Sequence, residues 1–228
     1  MFSVCVVGCG DRGTAHATTW AARDDAEIIA VCDIDESRAK KLAEAHQADW
    51  YAEYRDAIAH QGVDVVSVCV PTYLHAAVVV EAAGRGIHIM SEKPLALTLE
   101  QAIQIERAID ENSVSYSACF QHRDRGLYQK LKTFVSENKF GSPLHFRFTD
   151  IRDVRPKTAM HRTSENGGVV IDMACHMFDM LRFLTDDEII RVYATGTVFG
   201  RGKPTLESVT DFAIDAASIE VDTYSGHH

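Results

Sequence analysis

The chain has 228 residues, 46% hydrophobic and 25% charged, the balance of a globular protein rather than of a disordered chain or a fibre. Acidic residues outnumber basic ones by 33 to 23, a formal net charge of −10. That surplus argues against nucleic acid and against an anionic membrane surface as partners.

Short, continuous apolar runs occupy 2–7, 27–32, 63–70, 87–90 and 114–119. Continuous rather than alternating runs predict strands buried on both faces of a parallel sheet. Amphipathic stretches at 13–23, 35–46, 53–60, 73–85 and 99–112 predict the intervening helices. Thr98-Leu99-Glu100-Gln101 is a capping box ahead of the last of these. The alternation implies an α/β domain, a Rossmann-type doubly wound sheet, over residues 1–120.

The pattern then changes. A helix is predicted near 123–138, and Phe140-Gly141-Ser142-Pro143 forms a turn. Residues 144–150 alternate polar and apolar, the period of a half-exposed strand. An apolar helix is predicted near 168–184, and further strands near 189–199 and 208–223. Residues 121–228 therefore read as a second, α+β domain built on a largely antiparallel sheet.

No apolar run approaches the roughly 18 residues of a membrane span. The chain opens Met1-Phe2-Ser3-Val4, straight into a strand-like run, so no signal peptide is expected. Six cysteines include no CxxC pair, so no metal site is expected. They read as small buried hydrophobes of a reducing, cytoplasmic protein.

The first strand runs into Gly8-Cys9-Gly10-Asp11-Arg12-Gly13, a GxGxxG turn opening a helix. Gly8 permits the tight turn, Gly10 admits a pyrophosphate, and Gly13 lets the helix approach the strand. Asp11 and Arg12 belong to the same phosphate-facing turn. Asp33 ends the next strand, 20 residues beyond Gly13, where an acid accepts hydrogen bonds from the adenine ribose and repels a 2′-phosphate. NAD is therefore expected over NADP, with Arg38 on the following helix counted among the cofactor contacts. Asp35 is the better cap for that helix. A methyltransferase can also use a glycine-rich turn and a ribose-binding acid, but the second half does not fit one.

On a straight helix over 168–184, Asp172, His176 and Asp179 fall within about 60° of arc. The rest of the circumference is apolar, so the stripe must find partners or line a cavity. It is either a satisfied internal pair or an acid/base pair facing a substrate. Lys93 follows a buried strand, where open α/β sheets bind ligands. It is either a hydroxyl polariser or a solvated loop lysine.

Cys69-Val70-Pro71-Thr72-Tyr73-Leu74-His75 and Ser91-Glu92-Lys93-Pro94-Leu95-Ala96, with the glycine turn and Gly167 to Asp179, resemble the Gfo/Idh/MocA family of NAD(P)-dependent oxidoreductases. The family includes glucose-fructose oxidoreductase and inositol dehydrogenases. The resemblance runs from about residue 2 to the C-terminus. It implies hydride transfer between NAD and a hydroxyl carbon of a sugar, inositol or related polyol. It places the family's catalytic lysine, aspartate and histidine on Lys93, Asp172 and His176. Pro71 and Thr72 fall on the segment passing the nicotinamide. His75, Glu92 and Pro94 join the cofactor lining, with structural or secondary roles for His75 and Glu92. Asp150 and Arg152 are the expected additional substrate contacts. Relatives are commonly longer, so the C-terminal sheet is expected to be short of strands and a homo-oligomer to form through it. A non-catalytic NAD-binding regulator, a truncated member and an NAD-dependent glycosidase remain alternatives.

Overall fold

A computed structural model describes residues 1–155 and 157–228. The chain forms two compact units, Met1–Cys119 and Phe120–His228.

The N-terminal unit is built on six parallel strands: β1 (Phe2–Val7), β2 (Ala26–Cys32), β3 (Asp49–Tyr51), β4 (Val65–Val68), β5 (His88–Ser91) and β6 (Tyr116–Ala118). Their spatial order is β3-β2-β1-β4-β5-β6. Helices α1 (Asp11–Ala21), α2 (Glu36–His46), α3 (Tyr54–Ile58), α4 (His75–Gly84) and α5 (Leu99–Asn112) connect them. β4 is buried throughout, as a continuous apolar run in the middle of a covered sheet requires. Two apolar clusters fill the unit: Val4, Val6, Ala17, Val31 and Leu42 belong to one, and Val66, Val68, Val79, Ala83 and Ile105 to the other. Asp35 caps α2 by accepting from the amides of Ser37 and Arg38, as expected. Thr98 caps α5 by accepting from Gln101, whose side-chain oxygen accepts from the Leu97 amide.

The register of this sheet positions the site. Tyr51, Cys32, Val7, Val68, Ser91 and Ala118 form one row across all six strands. The next residue of each of the inner strands, Asp33, Gly8, Cys69 and Glu92, therefore emerges at a common carboxyl edge. Backbone bonds extend the ladder into it: Gly8 N–H to Cys32 O at 2.7 Å, Cys69 N–H to Val7 O at 2.7 Å, Glu92 N–H to Val68 O at 2.9 Å. The order reverses between β1 and β4, the crevice in which open α/β sheets bind ligands.

The C-terminal unit contains α6 (Gly126–Ser136), α7 (Gly168–Asp172), α8 (Ala174–Thr185) and an antiparallel pair, β7 (Ile189–Thr197) and β8 (Ala216–Thr223). Met180, Leu181, Leu184, Leu206, Val209 and Ala213 are buried in it. Three expectations are corrected. Residues 144–150 are not a strand; Phe146 N–H and Leu144 O instead bond to the backbone of His228. The strand expected over 208–223 begins only at Ala216. The helix expected over 168–184 is two helices broken at Met173, where φ is −110° and ψ −45°.

No helix among the described residues is long and apolar enough to cross a membrane. Among those residues no three His, Cys, Asp or Glu side chains are grouped to hold a metal.

Candidate functional site

At Gly8 and Gly13 the glycine turn is closed by backbone contacts that leave no room for a side chain. Gly8 has φ +98°, and a Cβ there would lie 2.5 Å from Cys69 O. A Cβ on Gly13 would lie 1.7 Å from Gly8 O, so α1 can start this close to β1 only on a glycine. Gly10 is different: a Cβ there would meet nothing within 4 Å. Its φ of −75° makes no demand for glycine, and it caps α1 with no side-chain hydrogen bond. The open space beside it, at the dipole's positive end, suits a phosphate approaching bare backbone.

Asp33 stands beside this turn and is held at both oxygens. Oδ2 accepts the Cys9 N–H at 2.7 Å and Oδ1 accepts the Asp35 N–H at 2.9 Å. Each oxygen keeps acceptor capacity for a ribose hydroxyl. Arg38 is exposed and pairs with Asp35 at 3.2 Å. The turn and Asp33 together fit a dinucleotide of the NAD type.

The neighbouring strands bring further residues to the same edge. Glu92 is buried and meets three partners. It forms an ion pair with Arg12 of the glycine turn and lies 3.3 Å from His16 Nε2 on α1. Its Oε2 accepts the Lys93 N–H at 3.2 Å. His16 Nδ1 is 2.7 Å from Ser67 Oγ. Burial pushes the Glu92 carboxyl up, but the hydrogen bonds from His16 and Arg12 outweigh it and hold the group at about 2. Lys93 is half-buried, and the Lys93–Pro94 peptide is cis. His75 is buried, with ring nitrogens 2.7 Å from Pro94 O and 3.0 Å from Val70 O. Its imidazole ties the segment after β4 to the segment after β5; within the first of these Thr72 is buried and Pro71 exposed.

In the C-terminal unit Asp172, His176 and Asp179 are all buried. Asp172 ends α7 and His176 sits in the first turn of α8, so their spacing spans the break rather than one helix. Asp179 is not free for chemistry. Arg123 grips it with Nη2 to Oδ1 at 2.6 Å and Nε to Oδ2 at 2.9 Å. A cleft of about 1200 Å³ in this unit is lined by Phe148, Asp150, Arg152, Arg155, Asp172 and Met173, among others. Asp150 and Arg152 form a fork-to-fork pair with both bonds at 2.7 Å. The Arg152 guanidinium holds the Asp150 carboxyl below its usual range, with Arg155 and His176 adding to the effect.

A family model described as the oxidoreductase family with an NAD-binding Rossmann fold matches residues 2–120. The Gfo/Idh/MocA C-terminal domain matches residues 128–226. The chain belongs to the Gfo/Idh/MocA oxidoreductase family. It is 32% identical to a myo-inositol 2-dehydrogenase of Thermotoga maritima, over 85% of this chain and 58% of that protein. It is 31% identical to the oxidoreductase YrbE of Bacillus subtilis, over 97% of this chain and 63% of that protein. A crystal structure of the WlbA dehydrogenase from Chromobacterium violaceum, in complex with NADH and UDP-GlcNAcA, superposes with a TM-score of 0.86. That match has 25% identity and covers 99% of this chain and 65% of the other. The chain spans about three-fifths of the length of the curated relatives it matches.

Within this Gfo/Idh/MocA chain, the structure gathers Gly8, Gly10, Asp11, Arg12, Gly13, Asp33, Glu92, Lys93 and Pro94 at the carboxyl edge of one sheet. Asp150, Arg152 and Asp172 line one cleft of the C-terminal unit. Two residues were missed from the sequence, His122 and Arg123. The His122 ring lies 4.7 Å from that of His176, and Arg123 holds Asp179. Both precede α6, which begins at Gly126 rather than near 123 as expected, and nothing in the spacing ties them to α8.

Proposed function

We propose that this chain is an NAD-dependent dehydrogenase that moves a hydride between NAD and a secondary hydroxyl carbon of a sugar, inositol or related polyol. The observation that carries the reading is the glycine turn packed beside Asp33, with Lys93 on the same sheet edge. The names of the relatives, inositol and sugar dehydrogenases among them, support the substrate class.

Gly8, Gly10 and Gly13 with the first turn of α1 would hold the pyrophosphate, and Asp33 the adenine ribose. NAD, when bound, supplies the nicotinamide carbon that takes the hydride. The remaining work falls to side chains. His176 takes the hydroxyl proton on a ring nitrogen, and Asp172 orients its imidazole. Lys93 stabilises the alkoxide that develops as the proton leaves. Asp150 and Arg152 contact the rest of the polyol. A homo-oligomer would form through the β7–β8 sheet, a reading supported by the exposure of Ile190, Val192 and Tyr193 on β7. The cytoplasm is the setting we infer from six cysteines, four of them buried.

The test is NADH formation by the purified protein from NAD and a panel of inositols, aldoses, sugar acids and polyols, with Lys93→Ala alongside. Turnover that the variant loses, with NAD affinity kept, supports the reading. Bound NAD with no turnover across the panel removes it, and a free sugar released without net NADH replaces it with glycosidase chemistry.

A further inference from the structure

His122 and His176 meet edge to face, ring centroids 4.7 Å apart and planes at 73°. The contact is boxed by two more aromatics. Tyr128 of α6 packs against His122 at 5.8 Å and Phe120 against His176 at 5.9 Å. His176 is 5% exposed, whereas His122 is half-buried. Two imidazoles this close do not both carry charge readily, so their protons come on in two coupled steps. In such a pair the ring that keeps more water is the easier one to charge.

We propose that His122 is a positioning residue of the candidate site: it takes the first proton of the pair and so keeps His176 neutral, able to accept the proton of the substrate hydroxyl. This rests on the dehydrogenase reading and deepens it. On the alkaline plateau, above the pH at which His122 takes its proton, the edge of a neutral His122 is the neighbour of the imidazolium that forms on His176, with no second charge beside it.

Other charged and titratable groups of this unit lie near the pair in space or in sequence. Asp172 lies one turn before His176, and Asp150, paired to Arg152 and influenced by Arg155, acts on His176 from the segment before α7. Asp179 on α8 is neutralised by Arg123. Tyr128 faces His122 from α6, and Cys175 adjoins His176 in sequence. The same groups are present in a His122→Phe variant, which keeps an aromatic ring against His176 and removes the titrating imidazole.

The experiment follows the imidazole C–H resonances of His176 by NMR across pH, and the pH profile of kcat/KM, in the native protein and in His122→Phe. The expected result is an upward move of the His176 titration and of the acid limb by about one pH unit. The kcat on the alkaline plateau stays within about threefold, a change of under 1 kcal/mol. A loss of kcat that is uniform across pH, with the acid limb unmoved, overturns the proposal and leaves His122 as packing. If His122→Phe does not fold, His122→Gln carries the same comparison. A shifted His176 titration in a protein that oxidises no polyol supports the coupling and sinks the dehydrogenase reading instead.

Discussion

Glu92 Oε1 lies 3.3 Å from His16 Nε2, and this contact joins the segment after β5 to α1 inside the N-terminal unit. Arg12 grips the same oxygen from the glycine turn. The carboxylate is thus the common partner of the phosphate-binding turn and of the backbone at Lys93.

That arrangement makes stability depend on acid in a defined window. The Glu92 carboxyl falls from an ordinary 4.5 to about 2 in the folded chain. A depressed folded value contributes stability that is full above the unfolded value and is lost as pH falls from about 4.5 through about 2. The contribution is of order 3 kcal/mol at neutral pH. Glu92→Gln is expected to lower the free energy of urea unfolding at pH 7 by about 1–3 kcal/mol. The gap between variant and native protein should close near pH 2. A gap that persists unchanged at low pH assigns the loss to packing rather than to charge.

Gly10 and Gly13 separate cofactor binding from folding. A methyl on Gly13 collides with Gly8 O, whereas one on Gly10 points into open space. Gly13→Ala is expected to lower the melting temperature by several degrees, the effect of a core-strain penalty of about 1–3 kcal/mol. Gly10→Ala should melt like the native protein yet bind NAD at least about tenfold more weakly, because its methyl occupies the approach of the pyrophosphate. Calorimetric melting and titration with NAD distinguish the two. Unimpaired NAD binding by Gly10→Ala puts the dinucleotide elsewhere.

These two glycines also show what was legible in the sequence. The approach of Gly13 to Gly8 is local backbone geometry, and GxGxxG after an apolar strand encodes it in neighbouring residues. The five expected parallel strands were legible because each lies in a short apolar stretch of sequence, buried throughout in β4 and only partly so in β5 and β6. β3 was not: Asp49-Trp50-Tyr51 is a three-residue edge strand, with Asp49 and Trp50 exposed. Residues 144–150 alternate as a strand does, but alternation states a face and not a partner, and the partner there is the backbone of His228. The break at Met173 is hidden by apolar periodicity that runs through it on both sides. The contacts of His122 with His176 and of Arg123 with Asp179 are long-range, and no local rule reports them.

Asp33 is expected to choose the cofactor. Its carboxylate is fixed by the amides of Cys9 and Asp35, so it cannot turn away from a 2′-phosphate. Asp33→Ser, combined with an arginine at Ile34, should reduce the preference for NAD over NADP by about tenfold or more, the scale of one charged contact of roughly 1.4 kcal/mol. Ile34 is 89% exposed and offers the room. An unchanged ratio of the two dissociation constants removes Asp33 from the ribose site. The weaker hold on the glycine turn should also lower affinity for both cofactors.

Arg123 and Asp179 carry the last prediction, which concerns stability alone. The carboxylate is 7% exposed and the guanidinium 43%, so one end of the pair is dry and the other wet. Phe183 lies 5.4 Å under the guanidinium and limits its freedom. Replacing Arg123 strands a buried charge, a loss of about 3–5 kcal/mol for a fully buried pair. Half-exposure of the arginine reduces that here to about 2–3 kcal/mol. Arg123→Met should therefore unfold at lower urea than Asp179→Asn, which leaves the exposed end unpaired instead of the buried one. Equal losses in the two variants refute that asymmetry, because they mean that water reaches Asp179 as easily as it reaches Arg123.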